Sequence, residues 1–380
     1  MSFSECEVIV TSYEENFRYG GFSVKEMAAV DLVPFAGLID GEIIHPDDLL
    51  FLDTETTGLS GGAGTVAFLV GIGYFSQNRF MIKQYLMRDY DEEYPMLCQL
   101  DLDMKNRNAL VTYNGKAFDM NLLTSRFIMN GMRIVQTGVH LDLLYVARKL
   151  WRNSLENCRL ITLEEAVLSE YRKGDIPGYL IPQIYFEYLR SGNKSLLDEV
   201  LLHNRLDILA MASVLKYVCS ISEQPELALK SGRDELFGLA GLFESIEDKN
   251  RAESLYIKCV EAGRPPVVRQ ALARLADMKK RSNAYQDAVS YWNKMLAFTP
   301  KTGVYPYIEL AKYFEHKVKD FVKAKEYADQ AKLLADRMVI KDEKLHRELV
   351  VRQSRLTKRI ERKSKEDHIP MHIGETSRLE

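Results

Sequence analysis

The chain has no Cys-x-x-Cys pair, no mixed Cys/His cluster and no apolar run long enough to cross a bilayer. Its five cysteines, Cys6, Cys98, Cys158, Cys219 and Cys259, are odd in number and widely scattered. That pattern argues against a disulfide framework and a structural zinc site, and points to a reducing interior. The longest apolar stretch, Thr65 to Phe75, is interrupted by Gly71 and Gly73. It falls short of the roughly 20 residues a spanning helix needs. The opening residues, Met1 to Glu7, lack the basic and apolar regions of a secretion signal. A cytoplasmic protein without a membrane partner is the expectation. Nucleotide-cofactor signatures are absent too: no Gly-x-Gly-x-x-Gly opens a helix, and no Gly-Lys-Ser/Thr follows the glycine-rich stretch from Gly58 to Gly64.

At 380 residues, 46% hydrophobic and 28% charged, the chain exceeds one ordinary domain and has the composition of a folded soluble protein. Its net charge of −3 conceals two opposite surfaces. Residues 1–220 carry 20 Lys/Arg against 29 Asp/Glu, whereas residues 221–380 carry 31 against 25. The first part is thus −9 and the second +6.

The first part reads as mixed α/β. Leu49 to Leu52 is a buried-strand pattern, and Thr65–Phe75 and Arg79–Leu86 are two further strands across the polar turn Ser76-Gln77-Asn78. A helix over Glu92–Leu102, a strand at Ala109–Tyr113, a helix over Met120–Met129 and a strand near His140 follow. Consecutive strands and then β-α-β alternation predict a mixed sheet with helices packed on it. From Thr162 the pattern turns helical, and Ser195 to Tyr217 carries apolar residues at helical spacing. We place the boundary at residue 220, with Ser222 to Pro225 as linker, and expect three regions: 1–220, 221–340 and 341–380.

The second part repeats. Ala252, Ala288 and Ala324 are spaced by 36 and 36, and Leu239-Ala240, Leu275-Ala276 and Leu310-Ala311 by 36 and 35. Each unit is a helix carrying Leu-Ala, a polar break and a second helix built around the spaced alanine. Stacking such pairs buries a face that no single pair can bury. The pattern resembles tetratricopeptide repeats, with a period slightly longer than the usual value of about 34. A plain helical bundle has the same core without a concave surface.

Chemistry concentrates in three acidic stretches. In "FLDTETTGL", Asp53 and Glu55 follow an apolar strand and, two residues apart, point to one side of the sheet. Two carboxylates so close need something positive between them, and hard divalent cations take oxygen ligands. An exposed strand end carries the same dipeptide pattern. In "TYNGKAFDMNLL", Asp119 starts a helix five residues after Asn114. In "LLHNRLDILAM", His203 and Asp207 lie four apart on one helix face.

The order Asp-x-Glu, Asn-Gly-x-x-Phe-Asp and His-x-x-x-Asp resembles the three exonuclease motifs of the DEDD superfamily, which has a ribonuclease H-like fold. One DEDD subclass ends with Tyr-x-x-x-Asp and the other with His-x-x-x-x-Asp, so His203 stands at the tyrosine subclass's spacing. The text "KGDIPGYLIPQIYFEYLRSGN" before "HNRLDILAM" is similar to the bacterial YprB-type group of predicted exonucleases. The resemblance implies an α/β ribonuclease H-like mixed sheet with flanking helices, followed by an all-α tetratricopeptide-like repeat domain. It implies a 3′–5′ exonuclease acting on nucleic acid with two Mg²⁺ or Mn²⁺ ions. Asp53 would bridge the ions, Glu55 and Asp207 would hold the one carrying the attacking water, and Asp119 would support the second. His203, with an unperturbed pKa near 6.5, would orient or deprotonate that water. Thr56, Gly58, Leu59 and Asn114 are the expected substrate contacts. A structure-selective endonuclease on the same site, or an inactive scaffold whose repeats bind a protein partner, are the competing readings.

Asp142 could lie near the second ion or cap a helix, and His140 reads as structural. Arg126, Arg172, Lys173 and Arg205 are candidate phosphate contacts or solvated surface. The late basic helix clusters Arg352, Arg355, Lys358, Arg359, Arg362, Lys363 and Lys365. Such a stripe suits either phosphate neutralisation or a capping helix of the repeats. The tail after Asp367 is expected to be disordered.

Overall fold

The computed structural model describes residues 6–38, 44–58, 64–133, 138–230, 234–298, 303–338 and 342–366. Leu59 and the tail after Asp367 lie outside them. The chain divides into two units, Met1–Leu255 and Tyr256–Glu380.

Among the described residues the first unit has eight strands: β1 (Glu7–Tyr13), β2 (Arg18–Tyr19), β3 (Phe22–Ser23), β4 (Leu49–Thr56), β5 (Ala67–Ser76), β6 (Arg79–Leu86), β7 (Ala109–Thr112) and β8 (Val139–Asp142). Its helices are α1 (Val24–Ala28), α2 (Glu93–Lys105), α3 (Asp119–Met129), α4 (Leu143–Trp151), α5 (Leu160–Leu163), α6 (Ile181–Ser191), α7 (Leu197–Glu223), α8 (Pro225–Lys230) and α9 (Glu235–Ser245). The helix α10 (Lys249–Ala262) crosses the division.

The principal sheet has the order β1-β6-β5-β4-β7-β8. β4, β5, β6 and β1 pair antiparallel, whereas β4, β7 and β8 are parallel. β5 and β6 form the predicted hairpin, and Gln77 and Asn78 at its turn have φ of 50° and 62°. Positive φ at both central positions matches the turn's twist to that of the strands. Leu49 to Leu52 are all buried because β4 is a central strand covered on both faces. The N-terminal segment, which the motifs left unassigned, supplies β1 beside β6 and the small β2–β3 hairpin.

Gly71 and Gly73, the two interruptions of the apolar run, have a packing cause. A Cβ at Gly71 would stand 2.1 Å from Asn204 Oδ1, and one at Gly73 would stand 2.4 Å from Ile208 Cγ2. Without side chains there, α7 lies directly on β5. That approach carries the middle of α7 to the strand bearing Asp53, whose register partner is Gly71.

Ser222 and Glu223 close α7 and Pro225 opens α8, so the expected linker is a tight break at Gln224. α9 packs closely on α4: a Cβ at Gly238 would meet Lys149 O at 2.5 Å. Trp151 Nε1 donates to Glu235 Oε1 at 2.8 Å and Tyr217 Oη to Glu235 Oε2 at 2.9 Å. These buried bonds explain why the first unit runs on to Leu255.

The second unit is all-helical, with α11 (Pro265–Arg281), α12 (Tyr285–Leu296), α13 (Tyr305–Tyr313), α14 (Phe321–Asp336) and α15 (Glu343–Glu366). Every repeating position of the sequence is buried: Leu239, Leu275, Leu310 and Ala252, Ala288, Ala324 are 0% exposed. Leu272, Ala276, Ala288, Trp292, Met295 and Leu310 form one core, and Ala311, Ala324, Ala328 and Leu356 another. The second core includes α15 through Leu356.

The basic helix is held from beneath by one acid. The Glu315 side chain is 0% exposed and accepts from Arg352 Nη1 at 2.5 Å and from Arg355 Nε at 2.8 Å, with Arg359 Nη1 at 3.7 Å. Three members of the expected phosphate stripe therefore anchor α15 to the helices before it. None of the five cysteines is in a disulfide. Among the described residues, no helix is long and apolar enough to cross a membrane.

Candidate active site

β4 alternates, so Asp53 and Glu55 share one face while Thr54 and Thr56 are buried on the other. Asp119 opens α3 and is itself buried; it accepts from Thr54 Oγ1. Asn204, one residue past His203 on α7, donates from Nδ2 to Asp53 Oδ2 at 2.8 Å. Its Oδ1 in turn accepts from Gln84 Nε2 of β6 at 2.9 Å. A hydrogen-bond chain across two strands and one helix thus orients the first carboxylate.

The carboxylates feel one another strongly. Burial, then the charges of Asp207 and Asp119, push the Asp53 carboxyl well above its ordinary range. Glu55 is raised likewise, first by burial and then by Asp53, Asp207 and Asp119. Burial pushes Asp119 up to about 6, against the hydrogen bond from Thr54. Asp53, Glu55, Asp119 and Asp207, three motifs apart in sequence, therefore form one electrostatic cluster.

His203 and Asp207 project from α7 toward a buried arginine. Arg172, 3% exposed, bonds Glu164 through Nε at 3.0 Å and Nη2 at 2.5 Å, Asp175 Oδ2 through Nη1 at 2.9 Å, and Asp207 Oδ1. Asp175 Oδ1 lies 2.7 Å from His203 Nδ1, and His203 Nε2 lies 3.8 Å from Asp207 Oδ2. Burial disfavours the His203 cation, but the Asp175 bond and the Asp207 charge outweigh it and raise its pKa. Glu164 also accepts from Tyr19 Oη of the β2–β3 hairpin. Arg172 is neither solvated surface nor an open phosphate contact: a guanidinium buried among three acids is already fully paired.

Asn204, Asp175 and Glu164 were missed by motif reading. Asn204 sits inside the third motif, and Arg172 and Asp175 are spaced three apart, as one-sided ion pairs are. No sequence signal ties either to Asp207.

Asp142 is the N-cap of α4, accepting from Leu144 N at 3.1 Å, and it also accepts from Asn114 N at 2.8 Å and Lys116 N at 3.1 Å. Asn114 has φ of 68°, so the chain reverses there before entering α3. His140 is structural: its Nε2 is 2.8 Å from Thr112 Oγ1, and burial, then Lys116, lowers its pKa to about 4. Thr56 Oγ1 donates to Gly58 O at 2.9 Å, shaping the exit from β4. Arg126 pairs with Glu93 at 2.5 Å.

Among the described residues, no three His, Cys, Asp or Glu side chains are arranged to hold one metal ion. Asp53 faces Asn204, Asp119 faces Thr54 and Asp207 faces Arg172. The donor chemistry fits a hard divalent cation: all-oxygen carboxylates, deep among protein atoms, whose mutual repulsion a bound cation would relieve.

A family model described as RNase_H superfamily matches residues 50–219. The chain is 33% identical over 357 residues to the uncharacterized protein YprB of Bacillus subtilis (strain 168), covering 90% of this chain and 84% of that one. The chain belongs to the YprB family. Its first unit carries the RNase H-like, nuclease-type domain of that superfamily; the matched residues begin in β4 and take in β5 to β8, and β1 lies before them. Among solved structures, the chain is similar to the family B DNA polymerase of the hyperthermophilic archaeon Pyrobaculum calidifontis at 12% identity and a TM-score of 0.35. That match covers 51% of this YprB-family chain and 28% of the polymerase.

Proposed function

We propose that this YprB-family chain is a metal-dependent nuclease of the DEDD type, removing nucleoside monophosphates from the 3′ end of a nucleic-acid strand. One observation carries the reading: three separate sequence motifs supply Asp53, Glu55, Asp119 and Asp207 to a single repulsive cluster beside His203. Burial and neighbouring carboxylates raise the pKa of Asp53, Glu55 and Asp119, a cost that a bound cation would offset.

Asp53, Glu55, Asp119 and Asp207 would hold two Mg²⁺ or Mn²⁺ ions. When bound, such ions supply a more acidic water and neutralise charge on the phosphoryl oxygens and leaving alkoxide. The chain's own residues do the rest. Asn204 fixes the Asp53 carboxylate against β4. Asp175 accepts the Nδ1 proton of His203, which leaves Nε2 to take a proton from the attacking water. Asp142 holds the backbone of Asn114, so that Asn114, with Thr56 and Gly58 at the strand exit, frames the terminal nucleotide. The helical repeats, tetratricopeptide-like in register, grip nucleic acid or a protein partner. The setting is the cytoplasm, where the five cysteines stay reduced.

The test is degradation of a 5′-labelled oligonucleotide with Mn²⁺ by the wild type, Asp53→Asn and Asp207→Asn. A ladder of shortened products that vanishes in both variants supports the reading. Undiminished cleavage in either variant removes the site assignment, and discrete internal fragments replace end-directed digestion with endonuclease action.

A further inference from the structure

Beside the turn that leads into α3 the surface opens into a cavity of about 430 Å³. Asn114 lines it, and the Asn114 N–H is held by Asp142, the N-cap of α4. Asn114 stands five residues before Asp119, so the cavity borders the loop that delivers that carboxylate. Its volume lies in the range of small-molecule sites.

The lining has three kinds of group. Leu144 and Leu160 are apolar. The Asn114 carboxamide makes no hydrogen bond among the described residues, and Asn157 uses only its oxygen, accepting from Arg159 N at 2.9 Å and Thr162 Oγ1 at 2.8 Å. Arg148 and Arg159 stand exposed at the rim, and neither guanidinium has an ion-pair partner among the described residues. Arg88, Arg126 and Arg172 of this unit are spent on acids, whereas Arg133, Arg152 and Arg205 resemble Arg148 and Arg159 in having no ion pair among the described residues. What sets Arg148 and Arg159 apart is that both line one cavity, which gives local positive charge on a region of net charge −9 whose overall field repels polyanions.

Apolar walls suit the face of a base, open carboxamides suit its edge, and paired guanidiniums suit phosphate oxygens. We propose that this cavity is a nucleoside-phosphate subsite that holds one residue of the strand being cut, with Arg148 and Arg159 on the flanking phosphates. The proposal rests on the nuclease reading above and adds where the strand runs: past Asn114 toward α4 and Arg159, rather than toward the filled Arg172 side.

Binding separates the two ideas. Full-length protein is titrated, with EDTA present, into a fluorescein-labelled single-stranded oligonucleotide, and anisotropy gives Kd across a salt series. Arg148→Gln and Arg159→Gln should each weaken binding about tenfold. Together they should flatten the salt dependence by about 1.4 in logarithmic slope, the value for two phosphates on a single strand. Arg190→Gln, which removes equal charge from a surface pair with Glu187, should change neither quantity. A double variant with wild-type Kd and slope overturns the subsite while leaving the nuclease reading intact. Loss confined to inhibition by free nucleoside monophosphate overturns it also, assigning the cavity to released product. A wild type that binds no oligonucleotide at all removes both proposals.

Discussion

Asp175 Oδ1 stands 2.7 Å from His203 Nδ1, and the same carboxylate's Oδ2 accepts from Arg172, which also grips Asp207. The proposed base and the last proposed metal ligand are thus coupled through one buried guanidinium. Neither can turn without breaking a charge-assisted bond, and Glu164 and Tyr19 brace Arg172 from behind.

Asp175→Asn is expected to lower kcat by about 10- to 100-fold with little change in KM, the usual cost of removing a partner that orients a site residue. Because Asp175 helps to hold the His203 pKa above its ordinary value, activity should rise with pH above about 6.5 as His203 loses its proton. The acid limb of the kcat profile should move to lower pH in the variant. An unmoved limb would falsify the base assignment.

Raised carboxylate pKa values mean that the folded protein binds protons that the unfolded chain has released. Stability from Asp53, Glu55 and Asp119 is therefore present at acid pH and is lost as pH rises above about 4, with the Asp119 share lost by about 6. Melting in EDTA between pH 5 and 8 should show Tm falling across the range. Mn²⁺ should restore it, and Asp53→Asn should melt higher than wild type in EDTA yet gain less from Mn²⁺.

Gly71→Ala forces a Cβ into the space of Asn204 Oδ1. It is expected to cost about 1–3 kcal/mol in urea unfolding, and to lower activity disproportionately because Asn204 positions Asp53. Gly238→Ala, which drives a Cβ against Lys149 O where α9 packs on α4, would share the stability loss alone.

Glu315→Gln leaves Arg352, Arg355 and Arg359 without their common acceptor. Burial works against the Glu315 carboxylate, but Arg355 and Arg352 outweigh it and hold its pKa below the ordinary value. Its contribution is present above the unfolded carboxylate range and lost as pH falls through the depressed value. A loss of about 1–2 kcal/mol is expected, since the arginines are partly solvated. Amide exchange along Glu343–Glu366 should accelerate first, and unaltered protection there would argue that Leu356 alone holds the helix.

Local signals were sufficient for much of the architecture. Short apolar runs marked β4, β5, β6 and β7, the turn residues Gln77 and Asn78 marked the hairpin, and the 36-residue spacing of alanines marked positions that are all buried. β1 escaped because an edge strand with one solvated face carries little hydrophobic pattern.

The sequence by itself determined the order of the three acidic motifs and the face shared by Asp53 and Glu55, because two-residue alternation is a property of any strand. It could not determine that Asn204 and Arg172, rather than water, satisfy Asp53 and Asp207. Those contacts join residues 151 and 35 positions apart. Only the close seat of α7 on Gly71 and Gly73 brings the first pair together, and only burial of Glu164 and Asp175 around one guanidinium brings the second. Contacts of that kind depend on which surfaces pack, a choice made by the whole core and not by any local stretch of chain.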